Sequence, residues 1–184
     1  MPTLYIILGI AALAILYIIM AYNGLVRLRQ QAKEAESDID VQLKRRFDLI
    51  PNLLETVKGY AAHERQTLEQ VTAARTRFMA AKNTKEQIVA NDMLSNTLKT
   101  LFAVSENYPD LKANANFLDL QRELADTENK IQAARRFYNA NVRDLNIRIE
   151  QFPTNIVSSA FRFQKMEFFE AEGAEARQPV AVKF

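Results

Sequence analysis

The run LYIILGIAALAILYIIMA, residues 4–21, decides how this chain is to be read. It holds no charged side chain, and the first charge in the sequence is Arg27. As a helix it is about 27 Å long at 1.5 Å per residue, close to the hydrocarbon thickness of a bilayer. Tyr5, Tyr17 and Tyr22 fall towards its ends, where amphipathic rings favour the headgroup level. The run reads as one transmembrane helix, with the remainder of the chain as a water-facing body.

A cleaved export signal is the competing reading. Such a signal opens with positive charge, has a shorter apolar core and ends in small residues. Here no Lys or Arg precedes the run, the run is longer, and Ile19 stands two places before Ala21. With no Cys, a lipoprotein anchor is excluded. A retained anchor fits better. Arg27, Arg29 and Lys33 follow the run and no cation precedes it, so the positive-inside bias predicts a short N-terminus outside and residues 27–184 in the cytoplasm.

Working outward, roughly 160 residues remain, a comfortable single-domain size. The chain has only four Gly, five Pro and no Trp, and it is rich in good helix formers, so too few turn residues are present for a many-stranded fold. The formal net charge of +2 gives no electrostatic case for nucleic acid. The expected class is all-α: a transmembrane helix continuous with an antiparallel up-and-down bundle of about four helices. The expected divisions are an anchor at 1–26, a helical body at 27–172 and an extended tail at 173–184.

Apolar or small residues recur at helical spacing from Leu28 through Ala32, Ala35, Ile39, Leu43, Phe47, Ile50, Leu54, Val57 and Ala61 to Leu68, Val71 and Phe78. The phase survives Pro51, which predicts one long helix bent near that proline. Thr84 with Gln87 fits a capping box opening a second helix, which ends near Asn107. Asn114 and Asn116 are cap candidates for a third, whose stripe runs from Phe117 through Leu124, Ile131, Tyr138 and Leu145 to Phe152. It stops at Pro153, where Thr154 can cap a short helix reaching Phe161. The final residues alternate and read as extended, lying along the bundle or pairing between subunits.

Little of the sequence carries chemistry. His63 is the only histidine, and Thr67 stands where a zinc-protease helix needs a second one. It reads as a histidine on a polar helix face. The four glycines are too dispersed for a phosphate loop. The reading is therefore no catalytic residue, no metal, no cofactor and no small-molecule substrate. Two concentrations of residues remain as interaction candidates. Asp38, Asp40, Lys44, Arg45 and Arg46 form a charged stretch in which Asp40 and Lys44 are spaced as an i,i+4 pair. Asp38 and Asp40 point about 200° apart on a helix, which argues against a shared cation. Phe161, Phe163, Phe168 and Phe169 cannot share one helical face, so they either close the core or form a docking patch.

Several segments resemble the LemA family: Tyr22-Asn23-Gly24-Leu25-Val26, the stretch from Ser37 to Leu53 that contains Ile50-Pro51-Asn52, Val57-Lys58-Gly59-Tyr60-Ala61, Glu106-Asn107-Tyr108-Pro109-Asp110-Leu111-Lys112, Tyr138-Asn139 and Phe152-Pro153. Phe47 departs from the pattern where many relatives have His, and Glu36 where Trp is common. The resemblance implies a bacterial membrane-anchored antiparallel helical bundle at the inner membrane, without an established enzymatic activity. It also implies a link to a membrane-bound zinc metallopeptidase in envelope quality control. The functional expectation is a non-catalytic scaffold or adaptor that assembles with itself or with a membrane protein, such as that peptidase. The alternatives are a self-assembling membrane-remodelling coat and an enzyme with an unrecognised site.

Overall fold

A computed structural model describes residues 2–81 and 84–169. Of the described residues 87% are helical and none forms a strand, as expected from a chain so poor in turn residues. The helices are α1 (Pro2–Tyr60), α2 (Arg65–Ala80), α3 (Thr84–Ser105), α4 (Pro109–Lys112), α5 (Ala115–Glu150) and α6 (Thr154–Ala160).

Helix α1 carries the apolar run directly into the body and continues through Pro51. Proline in a helix interior costs about 3 kcal/mol relative to alanine, because a hydrogen bond is lost and the preceding turn is crowded. Burial of Ile50 and Leu53 beside it, both at 0% exposure, offsets that cost. The helix does not reach Phe78 as the periodicity suggested. It ends at Tyr60, one residue after Gly59, and residues 61–64 form a turn. The seven-residue gap between the buried Ala61 and Leu68 is where the chain changes course. His63 lies exposed in this turn, not on a helix face.

The third helix begins as expected. The Asn114 side-chain oxygen accepts the backbone N–H of Phe117 at 3.0 Å, which identifies Asn114 as the cap. Thr154, by contrast, is the first residue of α6 and not its cap. The side chain of Thr84, on which the capping box depends, and the tail from residue 173 lie outside the described residues.

Two compact units are present, and their limits cut across α1 and α5. Unit 1 comprises Met1–Val41 and Ile131–Phe168, and unit 2 contains Gln42–Lys130. The expected limits at residues 26 and 172 mark anchor, body and tail, a different kind of division.

In unit 1, Ala21, Leu25, Leu145, Ile149 and Val157 form a buried cluster bordered by Tyr17, Leu28, Phe163 and Met166. Further along α1 the contact side is made of Ala32 and Ala35, both fully buried. In unit 2 the core is larger and built from Leu, Val and Phe, with Leu53, Val71, Leu101, Leu111 and Phe117 at its centre. Helices α2 and α3 pack against each other there. The Phe47 ring lies 6.4 Å from Phe78 and under the Arg75 guanidinium at 3.9 Å, which brings α2 against α1. Phe102 meets Phe117 edge-on at 6.2 Å, joining α3 to α5.

Candidate functional site

The charged stretch does not form one solvated face. Asp38 and Asp40 are exposed in unit 1, and Lys44 and Arg45 are exposed in unit 2. Lys44 pairs with Asp48 at 2.8 Å, four residues later, and not with Asp40. Both side chains are more than half exposed, so this pair contributes little stability. Partial desolvation raises the pKa of the Asp40 carboxyl above its ordinary value.

Arg46 corrects the sequence reading, because it is only 3% exposed. It occupies the buried stripe Ile39, Leu43, Arg46, Ile50, Leu53 and Val57, whose steps of four and three put it squarely between α1 and its neighbours. Its Nη1 donates to Glu128 Oε2 at 2.8 Å, to Asn91 Oδ1 at 3.0 Å and to Ser95 Oγ at 3.0 Å. Ser95 Oγ also donates to Glu128 Oε2 at 3.3 Å. One guanidinium thus ties α1, α3 and α5 together within unit 2. The apolar residues gave the phase that places Arg46 inside, but its charge masked the signal.

The Glu106–Lys112 segment has a similar structural purpose. Tyr108 donates its hydroxyl to Glu64 Oε1 at 2.8 Å, and Leu111 is fully buried in the unit 2 core. The hydrogen bond to Glu64 raises the Tyr108 pKa, aided by desolvation and the carboxylate charge. Asn114 donates to the Tyr60 hydroxyl at 3.0 Å, so the α1–α2 turn is held on two sides, by Tyr108 before α4 and by Asn114 before α5.

The four phenylalanines are not helical partners. Helix α6 ends at Ala160, where Arg162 takes a left-handed conformation with φ of 56°. The N–H of Phe163 reaches Ser158 O at 2.9 Å and that of Arg162 reaches Ser159 O at 3.2 Å, the two bonds of a Schellman ending. Residues 163–169 then run without helix. Asn146 grips this segment by accepting from Met166 N at 3.0 Å and donating to Met166 O at 2.9 Å. Tyr138 donates to Glu167 O at 2.9 Å. Burial, with Glu36 and Glu167 nearby, pushes the Tyr138 pKa up to about 12. Phe161 and Phe163 lie 4.8 and 5.7 Å from the Tyr22 ring, and the Arg29 guanidinium is 5.3 Å from the Phe163 ring. Phe168 is exposed and Phe169 is buried.

At the α5–α6 corner, Ser158 Oγ donates to Ile149 O at 2.8 Å and supplies a partner that the helix end lacks. Thr154 is buried, and its hydroxyl is 3.1 Å from the hydroxyl of Tyr17. Neither bond was legible in the sequence, since Tyr17 and Thr154 lie 137 residues apart and Ser158 reaches Ile149 only because the chain turns between α5 and α6. Among the described residues no group of three His, Cys, Asp or Glu side chains is arranged to hold a metal ion. Among the buried polar side chains, Arg46 and Asn91 join α1 to α3, and Ser105, Thr127 and Ser158 donate to backbone carbonyls.

The LemA family model matches residues 35–184. Protein LemA of Metamycoplasma hominis is 29% identical over 160 residues, covering 83% of this chain and 70% of that protein. Magnetosome protein MamQ 2 of Paramagnetospirillum magneticum is 24% identical over 183 residues, covering 85% of this chain and 67% of that protein. Magnetosome protein MamQ of Magnetospirillum gryphiswaldense is 23% identical over the same length. The segments Glu106–Lys112 and Tyr138-Asn139, which carried the resemblance in the sequence, are those whose side chains fasten turns and irregular backbone.

Proposed function

The chain belongs to the LemA family, and from that premise we propose that it is a single-pass, membrane-anchored, non-catalytic scaffold or adaptor. The observation that carries this reading is the contrast along α1. Its first residues expose Leu4, Ile7, Leu13 and Met20 at 56–68%, while the same uninterrupted helix buries Leu25, Ile39 and Ile50 in the body. An apolar surface of that extent has no place in water. Arg27, Arg29 and Lys33 favour a short outer N-terminus and a cytoplasmic body at the bacterial inner membrane.

The contacts of α2 with α1, of α3 with α2 and of α5 with α3 support an antiparallel up-and-down order of the helices. Polar groups spent on joining helices, as at Arg46, favour a rigid body that presents surfaces over one that turns over a substrate. Asp38, Asp40, Lys44 and Arg45 are the residues offered to a partner, with Phe168 as an apolar addition. The partner is a second copy of this chain or a membrane protein, of which the membrane metallopeptidase implied by the family is the leading instance. Two relatives named as magnetosome proteins fit a scaffold that has been adapted to different membranes.

The test is photo-crosslinking in native membranes from probes at Asp38 and Arg45. Capture of a second copy or of a membrane protein supports the reading. A strictly monomeric protein that captures nothing overturns it. Regular arrays on vesicles in negative stain would favour the coat alternative, and protection of the body from protease added outside the inner membrane is expected from the topology.

A further inference from the structure

Phe152, Ile156 and Phe161 are 77%, 62% and 53% exposed, and all three lie within ten residues at the α5–α6 corner. Single exposed apolar side chains need no explanation, but three bulky ones on and immediately beside one short helix do: Phe152 in the turn before α6, Ile156 within it and Phe161 just after it. The other side of α6 is fully engaged. Val157 packs with Ala21, Leu25 and Ile149, and Thr154 meets the Tyr17 hydroxyl at 3.1 Å.

Tyr17 and Ala21 belong to the apolar run, which fixes the level of α6. A hydrocarbon layer of about 30 Å entered at Leu4 is crossed in about 20 residues, near Asn23. Tyr17 then lies about 9 Å inside that limit and Ala21 about 3 Å inside it. Amphipathic helices at a membrane surface bury their apolar side about 5–10 Å deep, a range that overlaps these depths. The Tyr17–Thr154 bond makes sense at that level, since a hydroxyl surrounded by lipid is costly unless it has a partner.

Charge is arranged accordingly. Arg27 and Arg29 are the first cations beyond the run, and Arg162 follows α6 directly. Arg162 adopts a positive φ that favours glycine, so a long cationic side chain stands where the backbone does not favour one. Nearby, Glu150 and Lys165 neutralise each other.

We propose that the α5–α6 corner and α6 form a lipid-contacting wedge, seated in the leaflet from which the anchor emerges. Phe152, Ile156 and Phe161 enter the acyl boundary, and Arg162 reaches the phosphates of anionic lipids. The inference rests on the anchor reading and adds a second membrane contact to it. The body is thereby held against the bilayer and does not swing on the helix alone.

The absence of Trp makes the test clean. The full chain is reconstituted in phosphatidylcholine–phosphatidylglycerol vesicles as single variants Leu13→Trp, Phe152→Trp, Ile156→Trp, Phe161→Trp and Phe137→Trp. Brominated lipids then quench any tryptophan in contact with acyl chains. Phe137 is the control, since it is 57% exposed on α5 but about 20 Å from the end of that helix at Glu150. Leu13→Trp should be quenched most by deeply brominated lipids, the variants at Phe152, Ile156 and Phe161 most by shallow bromination, and Phe137→Trp by neither. Quenching at Leu13→Trp with none at Phe152, Ile156 or Phe161 overturns the wedge and leaves the anchor intact. A blue shift there without quenching means that a second protein surface covers them, which overturns it equally. No quenching at Leu13→Trp removes the anchor and the wedge together. All substituted sites are exposed, so folding is retained and circular dichroism verifies it.

Discussion

The two units hold their parts together by different means. In unit 2 the elements are helices that satisfy their own backbone, and what joins them is a large apolar core plus one buried guanidinium, Arg46. In unit 1 residues 163–168 lack helical hydrogen bonds, and the side chains of Asn146 and Tyr138 supply partners to their backbone. The difference follows from the obligation of every buried N–H and C=O to find a partner. Where helices meet, side chains are free to fix register. Where the chain is irregular, they must satisfy backbone.

The severest way to break either unit is a carboxylate in its core. Leu124→Asp strikes unit 2 and Ile131→Asp strikes unit 1, at positions 3% and 0% exposed. An unpaired buried carboxylate costs several kcal/mol, comparable to the whole stability of a domain at about 5–15 kcal/mol. Because α1 and α5 contribute to both units, each variant is expected to lose most of the helical signal of the body. Retention of about half of that signal by circular dichroism in either variant would show that the units fold separately.

Arg46 sharpens the comparison. Arg46→Ala removes the guanidinium that pairs with Glu128, and loss of one member of a buried pair costs about 3–5 kcal/mol. Glu128 retains 32% side-chain exposure, so the lower end, about 3 kcal/mol, is expected. Arg46→Met combined with Glu128→Gln should recover more than half of that loss, since an apolar side chain of similar volume suits the stripe. Urea denaturation of the single and double variants measures the coupling. Additive losses would mean that the guanidinium acts through shape alone.

These two positions also show what the sequence made legible. The stripe containing Leu124 and Ile131 was evident from spacing, because helical periodicity depends only on neighbours three and four residues away. The long apolar N-terminal helix was equally plain from residues 4–21. Arg46 sits on a stripe of the same kind, yet charge outweighed phase and Phe47 was preferred for the core. Phe47 instead lies half-buried against Phe78 and Arg75. The turn at residues 61–64 was missed because Ala61, Leu68 and Val71 keep an approximate helical rhythm across it. Contacts such as Tyr17 with Thr154, 137 residues apart, leave no local trace at all. The candidate surface was legible as composition, but which of its charges point inward was a tertiary fact.

Tyr138 tests the unit 1 arrangement more gently. Tyr138→Phe removes the bond to Glu167 O and should cost about 1 kcal/mol. Its pH signature has a definite sign. The folded pKa is about 12 against the ordinary 10.0, so the folded state holds the phenolic proton more tightly than the unfolded chain. That contribution is fully present below pH 10.0 and is lost as pH rises through about 12. Denaturation series across this window should show a steeper alkaline decline in the parent than in Tyr138→Phe. Equal slopes would show that Tyr138 is not held by burial as described.

The smallest effect is expected at Arg162, where helix α6 gives way to the irregular segment. A residue other than glycine in a left-handed conformation costs about 1–2 kcal/mol. Glycine removes that strain but loses about 0.4–1 kcal/mol through the greater freedom of the unfolded chain. Arg162→Gly is therefore expected to stabilise the body in detergent by about 0.5–1 kcal/mol, while Arg162→Ala, which keeps the strain, should gain nothing. No ion pair of Arg162 is seen among the described residues, so neither variant breaks one. In vesicles the two variants should converge, because both remove the cation that the wedge directs at lipid phosphates, and both should quench less at an Ile156→Trp reporter than the parent. Equal stability of the glycine and alanine variants in detergent would mean that the Schellman ending is held by its two hydrogen bonds alone and that the turn carries no strain to relieve.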